Sequence, residues 1–278
     1  MSEADGRVSR PRVTAFCSTA EDIGQTTTLL NTAVLLARAG RRVLVLDSRN
    51  ADVRTRHYVR SVAPATALLP GEEGGPSVEE WSPSGAVRPI GLATLKGPDP
   101  LAAVSGAGPD HRAFQDYDDV LIDAPLPRTE EQTAQLARLP DLLVVCFTAD
   151  SSFIEDAAAL AWGILRHTER HLDVIALALQ TDWSHEDQLR IARDRVGPSF
   201  ARLYGRPVRY LEIPYHAMSA RSARLGTELD SGNGFDERVL PALERLVSAL
   251  DRPHPVAPTH VTLVHTSRHT VWADWIEA

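Results

Sequence analysis

The chain has 278 residues, 43% hydrophobic and 24% charged, a globular composition rather than a disordered one and enough to bury a real core. Its formal net charge of −8 argues against nonspecific nucleic-acid binding through a broad basic face, although clustered arginines still allow a local basic patch. Lys96 is the only lysine, so no other is available for any chemistry.

Cys17 and Cys146 are the only cysteines, and both sit in apolar runs. They read as reduced core thiols of a cytoplasmic protein, without metal-ligand spacing around either. Residues 1–11 are polar, lack the apolar run of a signal peptide, and are expected to be disordered. No run approaches a membrane span, so neither a membrane partner nor a membrane location is expected.

From Arg12 to Cys17 an apolar run predicts a first strand, followed by a polar loop from Ser18 to Gly24. Helical spacing of Leu29, Leu30, Ala33, Val34, Leu36 and Ala37 predicts a helix over Gln25–Ala39, stopped by Gly40. The unbroken run Arg42–Asp47 reads as a strand buried on both faces, as in a parallel sheet. Residues 61–110, rich in Pro, Gly and Ala, read as an irregular insertion carrying one strand and a loop.

Regular order returns with a strand at Asp119–Asp123 and another at Leu142–Phe147. A helix over Ser151–Leu165 follows, with Ser151 or Ser152 as its cap. Next come a strand at Leu172–Leu179, a helix at Ser184–Val196, a strand at Val208–Ile213 and a closing helix at Phe235–Leu250. This alternation predicts an α/β fold: a doubly wound, mostly parallel sheet with helices on both faces, in one domain spanning 12–250. Residues 251–259 are a proline-rich linker, and 260–278 read as a strand, a loop and the first turns of a helix.

In open α/β sheets ligands bind beyond the carboxyl ends of the strands. The loop after the first strand, Asp47 and Asp123 converge there. A strand, a glycine-bearing loop, the run Thr26-Thr27-Thr28 and a helix form the layout of a phosphate-binding loop, with a threonine hydroxyl placed for Mg²⁺.

At these residues the sequence resembles the ParA/MinD family of P-loop NTPases, from about Val13 to Gly226. Gly24-Gln25-Thr26-Thr27-Thr28 stands where the family has Gly-Lys-Thr-Thr. Leu35 to Asp47 resembles its first helix and second strand, and Asp119–Pro125 (DVLIDAP) resembles its Walker B segment. Pro140–Val145 resembles the following strand, and Ile213-Pro214 matches the pair near the nucleotide base. The resemblance implies ATP or ADP with Mg²⁺ held by Gly24, Gln25, Thr26, Thr27, Asp47, Asp123, Gln180 and Pro214. Thr26, Asp47 and Asp123 would stand on the metal side, and Gln180 would be the nearest counterpart of a base-side asparagine. It also implies a homodimer or another protein partner.

The departures bear on activity. The family loop Lys-Gly-Gly-x-Gly-Lys reads Ala20-Glu21-Asp22-Ile23-Gly24-Gln25, so both lysines are replaced and two acids are added. The second acid of the family's Asp-x-Asp is Arg49. Phosphoryl transfer depends on neutralising shifting phosphate charge. Two unit charges 4 Å apart interact by about 4 kcal/mol at an effective dielectric near 20, so losing the lysines and adding Glu21 and Asp22 where the family has glycines disfavours a triphosphate. Weak or absent ATP hydrolysis is expected, in a regulatory or scaffolding protein. A nucleotide switch that dimerises is the alternative.

The tail has a separate resemblance. His260–Glu277 is similar to the opening strand and helix of a TIR domain, which leaves a third reading, a fragment of a TIR-containing signalling protein. The scattered histidines read as solvated loop residues, and no Ser-His-Asp elbow is present.

Overall fold

A computed structural model describes residues 10–21, 23–48, 78–83, 86–95, 101–105, 114–148, 151–168, 172–181, 186–204, 208–214, 239–251, 263–266 and 269–272. Eight strands form the main sheet: β1 (Arg12–Ser18), β2 (Val43–Asp47), β3 (Val78–Trp81), β4 (Ile90–Thr94), β5 (Asp119–Asp123), β6 (Leu142–Thr148), β7 (Asp173–Thr181) and β8 (Arg209–Pro214). Their order is β3-β4-β2-β5-β1-β6-β7-β8, and only the β3–β4 pair is antiparallel. The helices are α1 (Gln25–Arg38), α2 (Ala102–Ser105), α3 (Glu130–Arg138), α4 (Ser151–Leu165), α5 (Glu186–Tyr204) and α6 (Val239–Asp251). The doubly wound, mostly parallel α/β sheet is therefore the architecture of the molecule.

Strand residues alternate between two cores, as a period of two requires when both faces are covered. Val13, Ala15 and Cys17 face one core with Leu136, Ile154 and Phe200 of α3, α4 and α5. Phe16, Val144 and Cys146 face the other with Leu29 and Leu30 of α1 and Leu246 of α6. In the β1–β6 register Cys17 pairs with Val145 and Ser18 with Cys146, so the two buried thiols point into different layers and neither is in a disulfide.

Several boundaries differ from expectation, each for a physical reason. The 61–110 stretch supplies two strands of the main sheet instead of one. β4 runs parallel beside β2 and β3 antiparallel at the edge, with Trp81 and Ile90 buried against the α1 side. Close packing explains Gly91: a Cβ there would meet the Tyr117 hydroxyl at 2.6 Å. Residues 61–77, 84–85, 96–100 and 106–110 of that stretch lie outside the described residues.

Helix α5 continues past the expected stop at Val196, through Gly197 and Pro198. Val196 and Phe200, four apart, are both buried, so packing of one stripe outweighs the local breaker. Helix α3 was not foreseen from periodicity, because only Gln135, Leu136 and Ala137 are buried along it. Its start is a capping arrangement: Thr129 Oγ1 accepts from the Gln132 amide at 3.2 Å, and Gln132 Oε1 accepts from the Arg128 amide at 2.9 Å. Helix α4 already includes Ser151 and Ser152, the two residues expected to cap it.

The end of α1 follows the sequence reading. Gly40 has φ +83°, its N–H bonds to Ala37 O, and the Arg41 N–H reaches back to Leu36 O. This is a Schellman closure, which favours glycine at the left-handed position. Beyond α6, Leu263–Thr266 (β9) and His269–Trp272 (β10) pair antiparallel in a sheet of their own, where one strand, a loop and a helix were expected. Among the described residues no helix is long and apolar enough to cross a membrane.

Candidate functional site

The carboxyl edge of the sheet gathers most of the residues singled out from sequence. β2 and β5 are neighbours in register, so Asp47 and Asp123 are paired positions at the same edge, both buried. Phe16, near the end of β1, is the in-register partner of Asp123 on the other side. The strand ends are sewn together by Ser48, whose N–H and hydroxyl both donate to Asp123 O, at 3.2 and 3.0 Å. Gln180 lies near the end of β7 and Pro214 ends β8, opposite Thr181. They share this edge, two strands and more away from the loop after β1.

That loop turns into α1 at Gly24, which has φ +98° and ψ 12°. The left-handed region suits glycine, and nothing lies within 4 Å of where a Cβ would stand. α1 has no side-chain cap and no acid in its first turn. Its first helical bond runs from Thr28 N to Gly24 O at 2.9 Å. The first-turn amides and the positive end of the helix dipole therefore form the anion-favouring part of the loop.

The side chain at the lysine position points the other way. Gln25 is buried, and its Nε2 donates to Phe16 O at 2.9 Å, Ala124 O at 2.9 Å and Asp123 Oδ1 at 2.6 Å. Thr26 Oγ1 donates to the other carboxylate oxygen, Asp123 Oδ2, at 2.6 Å. One buried carboxylate is thus held by two neutral donors of α1, and two carbonyls at the strand ends share the same amide. Gln25 Oε1 has no hydrogen-bond partner among the described residues. Thr27 is half-buried beside them, and its carbonyl accepts from Asn31 Nδ2 at 2.9 Å.

Glu21, on the loop exterior, lies 3.8 Å from the Arg128 guanidinium of the segment after β5, and both are highly exposed. A pair so open to solvent contributes little to stability. Residues 18–28 contain no lysine or arginine. Asp22 and Arg49 lie outside the described residues. Among the described residues no group of three or more His, Cys, Asp or Glu side chains is placed to hold a metal ion.

This geometry can be tested against Mg²⁺ and a nucleotide. A threonine hydroxyl and two carboxylates, Thr26 with Asp47 and Asp123, are hard oxygen donors of the kind Mg²⁺ takes. The phosphate side does not fit in the same way: its loop offers backbone amides without a cation, and Gln25 is committed beneath it. Sequence reading saw the lost charge at Gln25 but not the three acceptors that hold the amide. Two of those are main-chain carbonyls whose direction only the sheet defines. Arg128 was also missed, because its approach to Glu21 depends on the capping of α3.

A parallel sheet with a glycine turn from β1 into α1 and paired aspartates on β2 and β5 defines a P-loop NTPase-like fold of the ParA/MinD type. The solved structures it is similar to are of that kind. The MinD cell division protein of Aquifex aeolicus superimposes with a TM-score of 0.60 at 17% identity, covering 85% of this chain and 97% of that one. The septum site-determining protein MinD of Pyrococcus horikoshii, complexed with Mg-ADP, gives 0.60 at 14% identity, covering 87% and 96%. A ParA family ATPase from Chlorobium tepidum gives 0.57 at 14% identity, covering 85% and 98%. No protein-family model matches the chain, and no curated protein matches it in sequence.

Proposed function

We propose that this chain is a degenerate P-loop NTPase-like module that acts by regulation or scaffolding, with little or no ATP hydrolysis. The observation that carries the reading is the Gln25 amide, bonded to Phe16 O, Ala124 O and Asp123 instead of projecting a charge toward a phosphate. A triphosphate placed on this loop meets backbone dipoles, and residues 18–28 themselves supply no guanidinium or ammonium. Transition-state stabilisation of phosphoryl transfer needs such a charge. Thr26 is spent on the same carboxylate, so loading a metal would require breaking a 2.6 Å bond.

A second reading rests on Gly24 and the metal-side trio. The left-handed turn and the hydroxyl–carboxylate set of Thr26, Asp47 and Asp123 remain suited to Mg²⁺ with ADP or ATP, in a switch that dimerises on nucleotide. The Mg-ADP complex of the Pyrococcus horikoshii MinD supports that alternative by fold analogy alone.

Titration calorimetry with Mg·ATP and Mg·ADP separates the two. The degenerate reading expects no saturable heat at micromolar nucleotide, and micromolar binding would sink it. Silence at millimolar nucleotide would sink the switch. Gln25→Lys combined with Asp22→Gly is expected to create measurable binding on the same fold.

A further inference from the structure

We propose that α6 is a releasable strap, fastened to the sheet by an arginine clasp at its last turn and folded only while docked. Three arginines from separate elements converge there. Arg12 of β1 donates through Nη1 to Leu250 O and lies 3.0 Å from Asp251 Oδ1. Arg41, in the turn between α1 and β2, pairs through Nη1 with the same Asp251 oxygen. Arg209 of β8 donates through Nη1 to Ala249 O. Arg12 and Arg41 are themselves held by Asp119, which is buried: Arg12 Nη2 lies 2.6 Å from Oδ1, and Arg41 Nε is in ion-pair contact with Oδ2.

The helix needs this help. α6 has no basic residue in its last turn and ends on Asp251. A negative charge at a helix C-terminus opposes the helix dipole. Thirteen residues is also marginal for a helix standing alone in water. Docked, Arg12 and Arg209 satisfy terminal carbonyls and Arg12 and Arg41 offset the Asp251 charge, while Val239, Ala242, Leu243, Leu246 and Leu250 bury one stripe against α1 and β8. Undocked, the same sequence has its dipole uncompensated and its carbonyls exposed. Helix formation and docking are therefore one event, and ionic strength acts on it through a clasp whose Asp251 is half-exposed.

Hydrogen exchange on the intact protein tests this. Raising NaCl from about 0.05 to 0.5 M is expected to speed exchange of the α6 amides roughly tenfold, with β5 and β6 amides unchanged. Arg209→Met is expected to speed α6 exchange at low salt and to shrink the salt response. Arg12→Met should do the same if it folds; Arg209→Met decides the matter if it does not. The proposal is overturned if α6 exchanges together with β5 at every salt concentration, or if its rate ignores both salt and Arg209→Met.

Discussion

Strand β5 carries an aspartate at each end, and the two are held in opposite ways. Asp119 and Asp123 are both fully buried, four residues apart on the face covered by α1. The chain of α1 reaches both, through Gln25 and Thr26 at one end and through Arg41 just past the other. At the amino edge the partners are guanidiniums, and the one Asp119 carboxylate lies between two of them. At the carboxyl edge they are an amide and a hydroxyl, so Asp123 is hydrogen-bonded without a cation among these contacts. Between these two sets of contacts, the neutral donors of α1 stand at the carboxyl edge and the guanidiniums at the amino edge.

The largest test of that contrast is Arg12→Met. Removing one partner of a buried ion pair typically costs about 3 to 5 kcal/mol. Urea unfolding should show a loss near the lower figure, because Arg41 remains. A loss below about 1 kcal/mol would mean that the amino edge is held no more strongly than the other. Gln25→Leu is expected to cost about 2 kcal/mol, since Phe16 O, Ala124 O and Asp123 lose a shared donor in a buried place. If it proved neutral, the internal network would not be what holds the loop.

The smallest effect is the pH dependence at the start of β5. Burial raises the Asp119 carboxyl above its ordinary value of 3.8, outweighing the nearby Arg12 and Arg41. A raised carboxyl contributes stability below its unfolded value, and that contribution is lost as pH rises through the folded one. Asp118 is lowered from 3.8, chiefly by the hydrogen bond from Arg42. Its contribution is present above the unfolded value and lost as pH falls through the folded one. Asp118→Asn should therefore flatten the acid side of a stability–pH curve, and Asp119→Asn should remove a slope of opposite sign at and above 3.8. Matching slopes in both variants would refute the assignment.

The parallel sheet, strands such as β2 and β6, and the position of the loop were readable because apolar runs such as Val43–Leu46 and Leu142–Phe147 carry their burial in plain composition. β3 and β4 were not, since Pro and Gly surround short segments whose burial comes from neighbours. Helix α3 had a legible signal, Thr129-Glu130-Glu131-Gln132, which periodicity alone passed over. At the site, residue identity revealed what charge was missing. Where the Gln25 amide went depended on the Phe16 and Ala124 carbonyls and the Asp123 carboxylate, the last two 99 and 98 positions away in sequence. The clasp on α6 was equally hidden, as Arg12, Arg41 and Arg209 are unremarkable one at a time.

The opposed orientation of Cys17 and Cys146 makes the molecule its own two-channel reporter. A thiol-reactive dye reaches Cys146 only when the α1 and α6 layer lifts, and Cys17 only when the α3, α4 and α5 layer does. Labelling rates at the two positions therefore time the two halves of the sandwich separately, with no introduced cysteine.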